Sequence, residues 1–78
     1  MLAGKRYRLT SDTLAIESVN ERRIAVTVPT GEIVEVIRGP RADDTPMVDV
    51  RWNGKVLVIF AEDLHRRGED ITGRNVSA

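Results

Sequence analysis

The chain has 78 residues, of which 41% are hydrophobic and 31% are charged, a composition typical of one folded domain with a small core. Its 12 basic and 12 acidic residues cancel, so the net charge predicts no long-range attraction to nucleic acid or to an anionic membrane. The absence of cysteine excludes disulfides, and no apolar segment reaches the roughly 20 residues that span a bilayer. We expect a cytoplasmic protein with one domain over residues 1–70 and a flexible tail over residues 71–78.

Short alternating segments predict strands in the first half of the chain. In residues 5–10, Tyr7 and Leu9 share one face and the two arginines share the other. Residues 14–19 and 24–28 flank the polar turn NERR, and their β-branched content and period of two favour a hairpin. A short helix over residues 14–22 is the alternative. Proline and glycine in VPTGE then predict a tight turn before a strand over residues 32–38.

The second half contains the strongest local signal. A loop over residues 39–46, rich in proline and aspartate, leads into the strand MVDVRW at residues 47–52. Asn53-Gly54 predicts a hairpin with a type I′ turn, because both of its central positions need a positive φ angle. After the returning strand, AEDLHRRG has acidic residues first and basic residues last, which predicts a short helical or 3₁₀ turn near residues 61–67.

Five or six short strands joined by turns predict an all-β fold, and closure into a barrel would remove its exposed edges. The order of VPTGEIVEVI, VDVRWNGK and AEDL resembles an SH3-like barrel, and it is similar to short uncharacterised bacterial proteins in which the pattern MVDVxWxGKxxxxFxxDLxxRG recurs. The resemblance covers roughly residues 23–70. It implies a small SH3-like barrel and no known chemistry.

The hairpin at Asn53-Gly54 has two unlike faces. Its register places Val48, Val50 and Trp52 opposite Ile59, Leu57 and Lys55, and these apolar residues predict a core. The other face carries two charged residues and an apolar stripe, which we define as Met47, Val56, Val58 and Phe60. An open apolar face predicts cover, either by residues 5–19 or by another subunit. The stripe residues are therefore interface candidates for a homo-oligomer, a dimer or a tetramer, and another protein partner is possible.

Basic residues near Tyr7 raise the alternative of a polyanion surface. Arginines beside an aromatic ring can contact phosphates and stack a base. The ordinary interpretation is a solvated strand face with scattered countercharges, and zero net charge with three aromatic residues favours it. The candidate polyanion contacts are Lys5, Arg6, Arg8 and Arg51.

Trp52 ends a strand beside a turn, so it either fills the mouth of the barrel as core, which we favour, or anchors a partner. The pattern of His65 and its neighbouring carboxylates is typical of a surface turn, and we expect no catalytic, cofactor-binding or metal site. We expect a non-catalytic binding or protein-interaction module that self-associates. The alternatives are a nucleic-acid-associated accessory domain and a small-molecule binder with a pocket formed in the oligomer.

Overall fold

The computed structural model describes residues 3–40 and 46–73 and confirms an all-β fold with one short helix in these ranges. The helix, α1, occupies the predicted position, Ala61–Arg67. Seven strands are present where five or six were expected, because the residues directly after the helix form an additional short strand. No helix in the described ranges combines the length and apolar character needed to cross a membrane. The strands are β1 Arg6–Leu9, β2 Thr13–Val19, β3 Arg22–Val28, β4 Ile33–Arg38, β5 Met47–Trp52, β6 Lys55–Phe60 and β7 Gly68–Asp70.

All seven strands join one antiparallel sheet in the order β3-β2-β6-β5-β4-β1-β7. Three neighbouring pairs, β2 with β3, β4 with β5 and β5 with β6, are consecutive in the chain. The other pairs are non-local, since β1 pairs with β4 and β7, and β2 pairs with β6. Strands β1 to β6 all contribute to one core, so the sheet curls around it, and β3 and β7 are the edges of the sheet in the described part of the chain.

The core consists of one side of each central strand and the inner side of α1. In β5 and β6 the predicted core positions Val48, Val50, Leu57 and Ile59 are at most 1% exposed. Leu64 of α1 is fully buried and covers one end of the same cluster. The other buried hydrophobic members are Tyr7, Leu9, Ala15, Val28, Val34, Val36 and Ala61.

In two hairpins of the sheet, the residues that form the turn have positive φ angles. Asn53 and Gly54 have φ angles of 52° and 74°, which confirms the type I′ turn, and all six predicted residue pairs between β5 and β6 are present. Asn20 and Glu21 have φ angles of 50° and 67° and connect β2 to β3. The hairpin predicted for this region is therefore confirmed, and the alternative of a helix over residues 14–22 is wrong.

The folded part of the chain extends past residue 70, where the sequence predicted the start of a flexible tail. Ile71 is 1% exposed, and its backbone N–H donates to the carbonyl oxygen of Arg6 at 2.9 Å. The N–H of Arg6 in turn donates to the hydroxyl of Thr72 at 2.8 Å. The buried side chain of Ile71 and these two hydrogen bonds hold the end of β7 against β1. Residues 74–78, the rest of the predicted tail, lie outside the described residues.

Candidate interaction surface

The outer face of the sheet carries a continuous group of apolar side chains on β2 and β6. We define the apolar patch as Leu14, Ile16, Val56, Val58 and Phe60. Ile16 lies directly opposite Val58, so the outward residues of the two strands are neighbours. Leu14, Val56 and Phe60 are 56%, 51% and 45% exposed, and Ile16 and Val58 are partly buried between them. Met47, the fourth member of the predicted stripe, is partly buried opposite Phe60 in the neighbouring strand β5.

The prediction that residues 5–19 could cover the apolar stripe is wrong. Strand β1 lies at the far side of the sheet beside β4, and β2 joins β6 edge to edge through backbone pairing at Ile16 and Glu17. In a sheet, neighbouring strands present their outward side chains side by side, so β2 cannot shield the face of β6. Instead, β2 extends the exposed apolar surface with Leu14 and Ile16.

Two residues of the apolar patch were not identified from the sequence as part of it. By hydrophobicity alone, Leu14 and Ile16 would be assigned to the core. The smaller neighbours Thr13 and Ala15 are buried instead, at 0% and 1% exposure. The buried hydroxyl of Thr13 donates to the carbonyl oxygen of Ser11 at 3.0 Å. The alternation is visible in the sequence, but which of the two faces is buried depends on the pairing of β2 with β6.

The other half of the outer face, on β5, β4, β1 and β7, is a ladder of alternating charges. Arg8 and Arg51 form ion pairs across neighbouring strands on this face, and Arg6 lies opposite Glu35 in the register of β1 and β4. Lys5, which precedes β1, pairs with Asp70, which lies opposite Tyr7 on the other face of the sheet. Because each cation has a carboxylate beside it, this half of the face has little net positive field. The nitrogen–oxygen distances are 3.4 Å for Lys5 with Asp70, 3.8 Å for Arg8 with Glu69 and 3.6 Å for Arg51 with Glu35.

Strand β5 marks the boundary between the apolar and the charged half. Asp49 lies opposite Val58 and is only 8% exposed, and its Oδ2 atom is 3.2 Å from Nε of Arg38. Arg51 lies opposite Val56 on the same face. The apolar patch is thus bordered by charged side chains on this side, as a bounded contact surface would be.

Trp52 lies on the core side of β5, partly buried against the hydrophobic cluster. Its indole Nε1–H donates to Oε1 of Glu32 at 2.8 Å, so the one polar atom of the ring is bonded within the chain. His65 on α1 contacts Tyr7 edge to face, with 6.4 Å between the ring centroids. No group of three or more potential metal ligands occurs in residues 3–40 and 46–73.

Beyond its pairing with β6, the hairpin of β2 and β3 extends away from the core. We call residues 18–25 the hairpin arm, and every residue in it is exposed. The arm includes apolar side chains: Val19 is 37% and Ile24 is 45% exposed. A two-stranded hairpin with both faces in water is marginally stable by itself, so the arm gains from any contact that orders it.

In comparisons with known proteins, no family model, curated protein or solved structure gave a significant match to the chain. The function is therefore argued from the surface itself. Its two distinctive features are the apolar patch and the hairpin arm beside it.

Proposed function

We propose that the protein is a small, non-catalytic interaction module of the cytoplasm, built on an SH3-like barrel, that self-associates through the apolar patch. The observation that supports this proposal is the register of β2 against β6, which joins five outward apolar side chains into one surface. An apolar surface of adjoining side chains with a charged border is typical of a contact site. A two-fold axis through the patch would bring two identical surfaces together, as in most homodimers.

The size of the patch sets the expected strength of the contact. Fully burying a Val, Leu or Phe side chain is worth about 1.5–3 kcal/mol, and a side chain that is already half buried gains roughly half of that. Leu14, Val56 and Phe60 are close to half exposed, and each counts twice in a symmetric contact. Association itself costs at least about 4 kcal/mol in lost freedom of motion. At most about 5 kcal/mol then remains, so we expect a weak dimer that forms at submillimolar to millimolar concentration rather than a permanent one.

The charged half of the face argues for protein association over binding of nucleic acid. A polyanion site needs cations without nearby carboxylates, since neutralising phosphates is the main source of its affinity. Here acidic residues of β4 and β7 alternate with the basic residues of β1 and β5. The pairs are exposed and individually weak, but together they remove the positive field that such a site requires.

Sedimentation velocity of Val56→Glu tests the proposal. Val56 is exposed and lies opposite Arg51, so the new carboxylate has a cation beside it and the monomer should fold normally. We expect wild-type protein to form dimers or larger species at submillimolar to millimolar concentration and the variant to bind itself at least tenfold more weakly, because a charge would have to be desolvated in the contact.

Ile33→Glu is the matched control. Ile33 is 36% exposed on β4 and lies opposite Arg8, so the substitution makes the same chemical change beside an arginine in the charged half. We expect it to associate like the wild type. A wild-type protein that remains monomeric at roughly millimolar concentration would refute the proposal. Equal loss of association in both variants would also refute it.

A further inference from the structure

The free edge of β3 exposes a row of backbone hydrogen-bonding groups. The two-residue turn at Asn20 and Glu21 makes Val19 and Arg22 a hydrogen-bonded pair, and the bonding direction then alternates along the strand. The N–H and C=O groups of Arg23, Ala25 and Thr27 therefore point away from β2. In the described part of the chain no strand pairs with this side of β3.

Most of this edge lacks the usual devices that prevent strand addition. Proteins protect an edge with charged residues, proline, a bulge or a very short strand. Strand β3 has seven residues in regular register with β2, and the last five, IAVTV, carry neither charge nor proline. By contrast, the opposite edge strand, β7, has only three residues, GED, of which two are acidic. The long edge is therefore open to pairing and the short one is not.

We propose that β3 pairs antiparallel with β3 of a second copy, with the two-fold axis at Ala25. In this register Ala25 faces its own symmetry mate, and Arg23 faces Thr27 of the partner subunit. Both pairs form hydrogen bonds through the backbone groups of β3 that point away from β2. Between them, Ile24 faces Val26 of the partner subunit, which is a favourable contact between β-branched side chains.

The sequence of β3 favours this register over its neighbours. With the axis at Ala25, all seven residues of the strand are paired, and Arg22 and Arg23 face the uncharged end of the partner strand. Moving the axis by one residue leaves five paired residues. Moving it to Arg23 leaves three and places two arginines directly opposite each other, which is destabilising. A strand that is basic at one end and apolar at the other is complementary to its own antiparallel copy.

The geometry also brings the two apolar patches onto the same side. A two-fold axis that joins two edges antiparallel is perpendicular to the sheet, so the outer faces of both copies point in the same direction. The joined sheet then runs β6-β2-β3 into β3-β2-β6 of the partner, and the exposed hairpin arms become its centre. The edge contact uses backbone atoms of β3 and does not depend on association through the apolar patch. If both contacts form, the expected assembly is a tetramer or larger.

Single cysteine substitutions test the register directly, because the chain has no cysteine of its own. A hydrogen-bonded pair at the axis has Cα atoms about 5.5 Å apart, within the range that a disulfide bridges. We expect Ala25→Cys to form a covalent dimer under mild oxidation. Thr27→Cys is the matched control on the same face, and its two copies would lie four residues apart along the strand, about 13 Å, so it should remain monomeric.

A proline substitution separates the edge contact from the apolar patch. The N–H of Ala25 points to the free edge, so Ala25→Pro removes a donor from the proposed contact and none from the β2–β3 ladder. We expect edge dimerisation to fall at least tenfold in Ala25→Pro and to persist in Ala25→Val, measured by sedimentation. Hydrogen exchange should show protection of the Arg23, Ala25 and Thr27 amides that rises with protein concentration in the wild type.

The outcomes distinguish the two contacts. No disulfide in Ala25→Cys, or equal cross-linking in Thr27→Cys, would overturn the edge proposal. If Val56→Glu abolishes association and Ala25→Pro leaves it unchanged, the edge proposal fails and the patch proposal stands. If Ala25→Pro abolishes association and Val56→Glu does not, the edge contact is supported and the patch proposal fails.

Discussion

Gly68 is a residue whose role differs from the one that its sequence context indicates. A glycine directly after a short helix usually ends it in the left-handed conformation. Here Gly68 has φ −125° and ψ 148°, an extended conformation open to any residue. What requires glycine is space, because a Cβ atom at this position would lie 2.7 Å from the carbonyl oxygen of Leu64 and 3.3 Å from Cβ of Tyr7.

Gly68→Ala should therefore destabilise the protein. The added methyl group meets backbone on one side and a buried side chain on the other, so β7 must shift away from α1 and β1, at a cost of about 1–3 kcal/mol. Urea unfolding measures this free energy. Glu69→Ala, an exposed position in the same strand, is the control and should change the free energy of unfolding by less than about 1 kcal/mol. A Gly68→Ala variant as stable as the wild type would show that the contact relaxes freely.

At the scale of elements, the two positive-φ hairpins differ in how well their turn residues suit them. Asn53-Gly54 is the best pair for a type I′ turn, and its strands pair in every position that the sequence predicted. The hairpin of β2 and β3 has Glu21 at φ 67°, where a Cβ atom costs roughly 1–2 kcal/mol. Its register is held by the length of the ladder, which pairs seven residues on each strand. The composition of these strands was enough to predict the hairpin, although its turn is not ideal.

Glu21→Gly should stabilise the protein by about 0.5–1 kcal/mol, because the relief of strain exceeds the entropy that glycine loses on folding. Thermal unfolding at low protein concentration measures the change. Glu21→Ala, which removes the charge and keeps the Cβ atom at positive φ, is the control and should give no gain. A similar gain in both variants would assign the effect to charge rather than to backbone strain.

At the scale of the whole molecule, Asp12 joins two distant turns of the chain, and Asp70 orders the turn after β7. Asp12, before β2, accepts hydrogen bonds from the N–H and the hydroxyl of Thr30 in the turn before β4, both at 2.9 Å. The backbone bond and then the hydroxyl bond lower the pKa of Asp12 below its ordinary value of 3.8. Bonds from Thr72, and less so the neighbouring Lys5, lower the pKa of Asp70 in the same direction.

The sign of these shifts predicts loss of stability in acid. A carboxyl group with a lower pKa in the folded state binds protons more readily when unfolded. Its contribution to stability is thus complete above pH 3.8 and is lost as the pH falls through 3.8 toward the lower folded-state pKa. Asp12→Asn keeps an acceptor that does not titrate, so its stability should fall less steeply over this range in urea titrations at each pH. If the free energy of unfolding of the variant depends on pH as steeply as that of the wild type, Asp12 is not a source of the acid sensitivity.

The sequence by itself determined the local structure: strands β1 to β6, the two hairpins, the helix after β6 and the register at Asn53-Gly54. These depend on alternation and turn chemistry over a few residues, where backbone preferences are strong. Only the tertiary structure decided which strands meet across the chain. Pairing of β2 with β6 turned Leu14 and Ile16 outward, and pairing of β1 with β4 and β7 placed Arg6 and Arg8 beside carboxylates. Such pairings depend on the packing of the whole core, so no short segment of the sequence specifies them.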